Sequence, residues 1–315
     1  MNGFPVIIDH KEAHVSYKTD TLVIKTSEAS TQSLPIELIS YVVIHGKPAV
    51  ESDVWRHLAD KGIPAVIIPL KGQGQPAWLG AGLTNSIPLR MTQYSCYQTP
   101  ACRHDYALQL VYLKYLAQCR TLELLNIPHI ANILPIEHVG LNKLLGLEGT
   151  LARNYFNALK PAIESHWNFN GRNRQPPKDP LNAFLSLSYT MLTLVMQRVI
   201  QETGLDPWLG IYHQPYPGRP ALAIDLIEPI RPQLDLWVIQ TLHESFRPED
   251  FANSDQDGCR LIKEKRHDYY HAWADLCAQF TENKTLEQYC REQVVAFIKY
   301  IRLNPYAKNY QDDAF

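Results

Sequence analysis

The sequence predicts an α+β protein of two domains, with a small β-rich domain at residues 1–85 and a larger all-α domain at residues 101–303. Short segments rich in β-branched residues, punctuated by Gly, Asn, Asp and Ser, occupy the first part. Long segments with apolar side chains at helical spacing occupy the second. The chain has 315 residues, 45% of them hydrophobic, which is enough for two domains with separate cores.

The β-rich domain is predicted to contain six strands and one helix. The helix covers residues 54–61 and ends at Gly62, after which an apolar run returns as a buried strand. No catalytic group of residues occurs here. A dimerisation module and a plain β domain both fit this pattern, and the sequence does not separate them. The predicted strands are residues 5–8, 14–17, 22–25, 33–38, 41–45 and 65–70.

Residues 86–100 are predicted to link the domains, because they end a stretch rich in Gly, Gln, Pro, Ser and Thr. A helical bundle follows. Its central helix is predicted at residues 181–203, where Asp179 caps the start and apolar residues cover most of the circumference. Residues 168–179 are expected to form a polar, basic loop, and residues 304–315 a flexible tail. The other predicted helices are residues 101–125, 141–159, 261–280 and 286–303.

The segment YHQPYPGRPALAIDLIEPIRP at residues 212–232 concentrates groups capable of chemistry. Its prolines restrict the loop that carries His213. A proline is tolerated only in the first turn of a helix, so Pro229 predicts a helix that begins near residue 225 and continues through residue 242. Asp225 and Glu228 would then lie on one face of its first turn. The alternative interpretation is a capping box, in which both carboxylates only accept backbone N–H groups.

A third carboxylate, Glu148, lies on the apolar face of the helix predicted at residues 141–159. A carboxylate on a buried face needs a partner, because burying an unpaired charge is costly. Gly146 and Gly149 flank this residue and suggest that something approaches the backbone closely there.

Composition and charge argue against several classes of protein. A formal net charge of −2 and a pI near 6.6 argue against a protein that coats nucleic acid non-specifically. The first residues lack a signal sequence, and no run of about 18 to 20 apolar residues predicts a membrane span, so a cytoplasmic location is expected. The six cysteines form no C-x-x-C pair, and reduced thiols are expected.

Local basic residues remain candidates for contacts with DNA phosphates, with solvated surface as the alternative. They are Arg172, Arg174, Lys178, Arg219, Arg231 and the segment KEKRH at residues 263–267.

Three segments, LLGLEGTLARNYF, DPLNAFLSLSYTML and GIYHQPYPGRPALAIDLIEPIRP, resemble in order and spacing the signature segments of the CRISPR-associated protein 1 family, the integrases of CRISPR adaptation. The β-rich part also resembles that family's amino-terminal domain. The resemblance implies that Glu148, His213 and Glu228 bind metal and that Asp225 is an additional acid. The chain departs from the family pattern at Gln214, where glutamate is common, and at Pro229.

Three carboxylates and an imidazole without a thiolate suit a hard divalent cation, Mg²⁺ or Mn²⁺. The resemblance implies an enzyme that uses such a metal to join the 3′-OH ends of spacer DNA to the CRISPR repeat by transesterification. It also implies a homodimer that works with CRISPR-associated protein 2 on double-stranded DNA, both spacer precursor and repeat. Whether a reverse transcriptase or helper nuclease joins the complex stays open.

Two alternatives remain at this level. One is a metal-dependent nuclease that hydrolyses branched or nicked DNA, and the other is a non-catalytic nucleic-acid-binding scaffold whose acids cap helices and pair with arginines. In the catalytic interpretation, three clustered carboxylates should repel one another without metal, so removing one should not lower stability. Loss of the Asp225 cap should cost about 1 kcal/mol.

Overall fold

The computed structural model describes residues 4–10, 12–26, 30–69, 76–79, 86–128, 140–173, 176–254, 258–306 and 308. The chain divides into two compact units. One unit is Met1–Thr84 together with Tyr270–Leu286, and the other is Asn85–Tyr269 together with Glu287–Phe315. Strands dominate the described start of the chain and helices the rest, as the sequence predicts.

Between residues 4 and 79, the described part of the first unit contains two four-stranded sheets, one α-helix and a 3₁₀ turn. In one sheet the order is β1-β5-β7-β8, with β1, β5 and β7 parallel and β8 antiparallel to β7. In the other the order is β4-β3-β2-β6. The elements are β1 (Phe4–Ile8), β2 (His14–Lys18), β3 (Thr21–Lys25), β4 (Gln32–Pro35), β5 (Ile39–Ile44), β6 (Ala49–Val50), α1 (Ser52–Asp60), β7 (Ala65–Ile67) and β8 (Ala77–Leu79).

Two strand predictions in this unit need correction. The strand predicted at residues 33–38 stops at Pro35 and continues as a 3₁₀ turn, Ile36–Leu38. Proline has no N–H for a ladder, and the turn buries Ile36 completely in the core. The strand predicted at residues 65–70 ends at Ile67, and residue 70 lies outside the described residues.

Residues 86–100, predicted as a linker, instead contain helix α2 (Ile87–Gln98), and Pro100 begins helix α3 (Pro100–Leu124). The prolines that suggested a loop stand in the first turns of these helices, where a missing N–H costs nothing. Helix α2 buries Leu89, Thr92 and Cys96 on one face. A disulfide joins Cys96 to Cys102, so the expectation of reduced thiols is wrong for this pair.

Helix α5 (Pro180–Thr203) is the buried central helix that the sequence predicts. Asp179 caps it by accepting the Asn182 N–H at 2.9 Å, and Gly204 ends it in a left-handed conformation. Its mean hydropathy of 1.3 over 18 residues is high enough for a membrane span, contrary to the expectation from sequence. Because 67% of that window is buried inside the protein, the helix is explained as a core helix.

The second unit is not all-α, because the described residues include a β hairpin of β9 (Phe251–Ser254) and β10 (Gly258–Leu261). Gly258 adopts a φ of +70°, and Phe251, Cys259 and Leu261 are buried. Four-residue strands carry too little periodicity to stand out from helical sequence. The other described helices of the chain are α4 (Leu141–Leu159), α6 (Ala221–Ile227), α7 (Arg231–Ser245), α8 (Lys263–Ala278) and α9 (Leu286–Leu303), and the boundary between the two units falls within α8.

The predicted tail at residues 304–315 is only partly described. Asn304 is buried, and its side chain donates to the Tyr300 hydroxyl at 2.8 Å. The Lys308 N–H donates to the Ser95 hydroxyl at 2.7 Å. Asn304 and Lys308 are therefore held by hydrogen bonds, residues 307 and 309–315 lie outside the described part, and the flexible tail stays a prediction.

Candidate active site

The helix predicted from residue 225 to residue 242 is two helices. Helix α6 ends at Ile227, a turn follows, and α7 begins at Arg231. In the turn, the N–H groups of Glu228 and Ile230 bond to carbonyls three residues back. Pro229 stands in this break rather than in the first turn of a helix. Asp225 therefore lies in the last turn of α6 and Glu228 at its carboxyl end, so the capping-box interpretation is wrong.

Asp225 is completely buried and organises the loop that carries His213. Its Oδ2 accepts the N–H groups of Ile211 at 2.7 Å and Tyr212 at 3.0 Å. Its Oδ1 accepts the His213 N–H at 3.0 Å and lies 2.6 Å from His213 Nδ1. Both carboxylate oxygens are thus occupied within the protein, which makes Asp225 a positioning residue.

The contact with Asp225 fixes the orientation of the His213 ring. A carboxylate accepts, so Nδ1 is assigned the proton and Nε2 keeps a lone pair. A buried carboxylate behind a ligating histidine is a common arrangement in metal sites, because it holds the ring and raises its basicity. The side chain of His213 is 18% exposed, so Nε2 is the nitrogen that remains for a metal ion or a proton.

Glu148 and Glu228 meet at one ammonium group. Lys114 of α3 contacts Glu148 Oε1 and lies 2.5 Å from Glu228 Oε2. Glu148 comes from α4, so three separate segments of the chain converge here. The prediction that Glu148 needs a partner is confirmed. In the described part of the chain, a Cβ at Gly146 or Gly149 would meet no atom within 4 Å, so no described protein group explains the flanking glycines.

Glu228 is buried but stays ionised. Burial alone raises the pKa of its carboxyl, but Arg231, Lys114 and His213 outweigh burial and lower that pKa to about 2. Arg231 contacts Glu228 Oε1, and its guanidinium also lies 4.8 Å from the centre of the Tyr189 ring. The clustered acids are therefore balanced by two cations, and the expectation that they repel one another without metal is wrong.

Tyr212 lies beside the same carboxylates. Burial raises the pKa of its hydroxyl above the usual range, and the charges of Glu148, Glu228 and Asp225 raise it further. The hydroxyl therefore keeps its proton. It is buried and finds no hydrogen-bond partner among the described residues, which makes it a donor available to a ligand in the site.

The donor set suits a hard divalent cation. In the described ranges, no three His, Cys, Asp and Glu side chains stand in a metal-binding arrangement as they are. Two carboxylates nevertheless already contact one shared cation, the ammonium of Lys114. Oxygen ligands are those that Mg²⁺ and Mn²⁺ prefer, and the Tyr212 hydroxyl beside these carboxylates has no hydrogen-bond partner among the described residues. The residues present fit such a metal.

A cleft of about 660 Å³ adjoins the carboxylate pair. Lys114 and Arg231 line it, together with two of the basic candidates, Arg172 and Lys178. Lys178 is exposed, whereas Arg172 is held by the Asn182 side chain at 2.8 Å. On α5, Asn182 and Ser186 accept hydrogen bonds from Arg172, and Tyr189 donates one to Asp235.

The remaining basic candidates are placed differently. Arg231 is buried against Glu228 and is not an open surface charge. Arg219 belongs to the stiff turn after His213, where its N–H donates to the Tyr216 carbonyl at 3.0 Å. Arg174 lies outside the described residues. A role for these arginines in DNA contact stays a prediction.

The floor of the cleft contains a buried acid that the sequence analysis missed. Asp235 of α7 accepts hydrogen bonds from Tyr155, at 3.1 Å, and from Tyr189. Burial raises the pKa of its carboxyl to about 6, although both tyrosines and two arginines, Arg172 and Arg231, oppose the rise. Its position in the sequence LDLWV gave no signal beyond a polar residue on a buried helix.

This raised pKa predicts a stability that depends on pH. Asp235 titrates near 6 in the folded chain and at about 3.8 when unfolded. The folded state holds the proton more tightly, so the stabilisation is complete below pH 3.8 and is lost as pH rises through 6. Between pH 7 and pH 4, the free energy of unfolding of the parent should rise relative to Asp235→Asn by about 2–3 kcal/mol.

Urea unfolding at several pH values measures this difference, with the exposed Asp60→Asn as the matched control. Parallel pH profiles for the parent and Asp235→Asn would show that Asp235 ionises normally.

Lys114 was the most important residue that the sequence analysis missed. A signal existed, because a single lysine interrupts the run LQLVYLKYLAQC, where a buried cation needs a partner just as Glu148 does. The sequence could not show that the two residues, 34 apart on separate helices, are each other's partners.

Comparisons with known proteins show which family the chain resembles. The family model described as CRISPR associated protein Cas1 matches residues 6–275. The CRISPR-associated endonuclease Cas1 1 of Thermodesulfovibrio yellowstonii is 30% identical over 291 residues, covering 84% of this chain and 88% of that protein. A Cas4 exonuclease/Cas1 endonuclease fusion from Geobacter sulfurreducens is also 30% identical, over 288 residues and 84% of this chain. The chain spans only about half of that fusion, 51% of its length.

Solved structures share the fold. A casposase bound to integration product superposes with a TM-score of 0.81 at 18% identity, covering 99% of this chain and 96% of its own. A Cas1 protein from Thermotoga maritima gives a TM-score of 0.81 at 17% identity, with 98% and 100% covered. At these identities the likeness concerns the fold alone, whereas the family model spans most of the sequence. The chain belongs to the Cas1 family of CRISPR-associated proteins.

Proposed function

We propose that this chain is a metal-dependent DNA integrase of CRISPR adaptation, which joins the 3′-OH ends of spacer DNA to the CRISPR repeat by transesterification. The observation that carries the proposal is the meeting of Glu148 and Glu228 on one cation. A histidine oriented by Asp225 and a cleft lined with basic residues accompany that pair. In this proposal Glu148, Glu228 and His213 Nε2 hold Mg²⁺ or Mn²⁺.

When bound, such a metal polarises the phosphodiester, offsets its developing negative charge and lowers the pKa of the attacking hydroxyl. Asp225 keeps His213 in one orientation, and His213 Nε2 is available as a ligand or as the proton acceptor. The Tyr212 O–H is a donor for a phosphate oxygen. Arg172 and Lys178 place positive charge along the cleft, where the DNA backbone would lie.

The reaction conserves bonds and needs no ATP. A phosphorus–oxygen bond forms to the attacking 3′ oxygen, and the bond from phosphorus to the leaving oxygen of the repeat strand breaks. The proton passes from the attacking hydroxyl to the leaving oxygen. One phosphodiester replaces another.

The family and the complexes with which the fold is shared support the Cas2, DNA and reverse transcriptase partners in this proposal. A Cas6-RT-Cas1–Cas2 complex superposes with a TM-score of 0.76 at 22% identity, covering 98% of this chain. We include in the proposal a homodimer that assembles with Cas2 on double-stranded DNA in the cytoplasm. A reverse transcriptase is a further candidate partner.

The proposal is tested by asking whether the protein joins or only cuts. The full chain, Cas2 and Mn²⁺ are given a short duplex with 3′-OH ends and a supercoiled plasmid that carries a CRISPR repeat. The expected result is covalent joining of the duplex to the plasmid. Joining should disappear with 3′-deoxy ends, because the attacking oxygen is missing. Glu148→Gln should remove joining with Mn²⁺ and also with Mg²⁺.

The outcomes distinguish the three functional classes. Nicking of the plasmid that ignores the chemistry of the 3′ end would indicate a nuclease that attacks with water. The relatives named endonucleases make that the second candidate. Binding of DNA without any metal-dependent product would indicate a scaffold, and either result would overturn the integrase proposal.

A further inference from the structure

Lys114 occupies the place in the site where a metal ion is expected. Its ammonium contacts one oxygen of Glu148 and lies 2.5 Å from one oxygen of Glu228. The lysine side chain is 11% exposed, and the two glutamates are 22% and 4% exposed. This is therefore a largely desolvated cation between two carboxylates that belong to different helices.

The charges explain why a cation is needed there. Glu148, Glu228 and Asp225 carry three negative charges, and burying unpaired charges is expensive. Arg231 balances only one oxygen of Glu228. Without Lys114, the carboxylates of Glu148 and Glu228 would face each other with no positive charge between them. Lys114 thus does in the metal-free chain what a divalent ion would do in the loaded one.

Lys114 is also better able than Arg231 to leave. The guanidinium of Arg231 is anchored on the Tyr189 ring as well as on Glu228. Lys114 has a flexible four-carbon stem, and in the described part of the chain the two carboxylates are its hydrogen-bond and ion-pair partners. Its side chain lines the cleft, so the ammonium has a polar space into which it can turn.

We propose that Lys114 is a resident cation, which holds the Glu148–Glu228 pair together in the metal-free protein and is displaced into the cleft by the divalent metal ion. The inference rests on the proposed function, because it takes these carboxylates as metal ligands. Metal binding and the Lys114 contacts exclude each other at this pair. The lysine therefore weakens metal affinity while it stabilises the empty site.

The test is a titration of the full-length chain with Mn²⁺ in the absence of DNA. The electron paramagnetic resonance signal of the free ion measures how much Mn²⁺ remains unbound. Lys114→Met removes the competing charge and keeps the apolar stem. It should bind Mn²⁺ about tenfold more tightly than the parent. Lys143→Met on the exposed side of α4 makes the same change in net charge and should bind as the parent does.

Thermal unfolding gives a second readout. Without metal, Lys114→Met should unfold at a lower temperature than the parent, because Glu148 loses its described partner. Added Mn²⁺ should raise its midpoint by more than it raises that of the parent. Lys114→Gln, a shorter neutral side chain, provides the same comparison if the methionine variant does not fold.

Each result bears on a different claim. Equal or weaker Mn²⁺ binding by Lys114→Met and Lys114→Gln would overturn the inference and leave the metal site intact, provided that Glu148→Gln loses binding. Absence of Mn²⁺ binding by the parent and every variant would overturn the proposed metal site, and the role of Lys114 with it. Tighter binding in both Lys114 variants but not in Lys143→Met would support displacement.

Discussion

Replacing Asp225 with alanine is expected to lower the free energy of unfolding by about 3–6 kcal/mol, because each buried donor left unpaired costs about 1–3 kcal/mol. Three backbone N–H groups and the His213 ring lose their acceptor together. This is several times the cost expected when Asp225 was interpreted as a helix cap. Urea unfolding measures it, and Asp53→Ala on the surface of α1 is the matched control.

Asp225→Asn separates the structural part of this role from the chemical part. The amide keeps one acceptor oxygen, so the loss of stability should be smaller than for alanine. It also turns an N–H₂ group toward donors, and His213 loses the negative charge that fixes its tautomer. Joining activity should fall in this variant even where it is folded. An Asp225→Ala variant as stable as the parent would contradict the network.

The long elements could be predicted because each carries its own signal. Helix α5 begins at Asp179 and Pro180, and its apolar circumference is found buried. The face of α4 that carries Glu148 was read from periodicity alone. These features depend on residues close together in sequence, and local pattern determines them.

The role of Asp225 could not be predicted for the opposite reason. Its partners lie 12 to 14 residues earlier, in a loop without periodicity. Asp-x-x-Glu beside a proline fits both a helix start and a helix end, and only the loop packed against it decides between them. A helix start was predicted because Pro229 was assigned to the first turn of a helix. In the structure, Pro232 occupies that position in α7.

The distinction between local and long-range signals also explains why residues 86–100 were predicted as a linker. Ser86, Pro88 and Pro100 are typical of loops and also of the first turn of a helix. What decides is the burial of one face of α2 and the bonds from Gln93 to the carbonyls of Asp206 and Leu209, both at 2.9 Å. These contacts span more than a hundred residues and leave no trace in the local composition.

The balance of charge at the site changes what loss of a ligand should do. From the sequence, the three clustered carboxylates were expected to repel one another without metal, so that removing one of them would relieve the repulsion. With Lys114 and Arg231 present, removing Glu228 instead takes a carboxylate partner away from both cations. Alanine variants of the two glutamates and of the histidine should therefore differ in stability, because only the glutamates neutralise buried cations.

Glu228→Ala and His213→Ala are both expected to reduce joining about a thousandfold or more, since each removes a proposed metal ligand worth several kcal/mol to the transition state. Their stabilities should differ. Glu228 is 3% exposed and pairs with Lys114 and Arg231, so its removal should cost about 3–5 kcal/mol. His213→Ala loses one contact to Asp225 at the edge of the site and should cost about 1 kcal/mol.

Joining assays and urea unfolding without metal measure both quantities on the same preparations. Lys114→Met combined with Glu228→Gln should be less destabilised than the sum of the single variants, because removing both members of a buried pair leaves fewer uncompensated charges. If Glu228→Ala were as stable as the parent, the ion pairs of Glu228 with Lys114 and Arg231 would contribute nothing to stability. Metal binding would then be the remaining role of this carboxylate. If it retained joining activity, Glu228 would be structural, and the assignment of the metal site to this pair would be wrong.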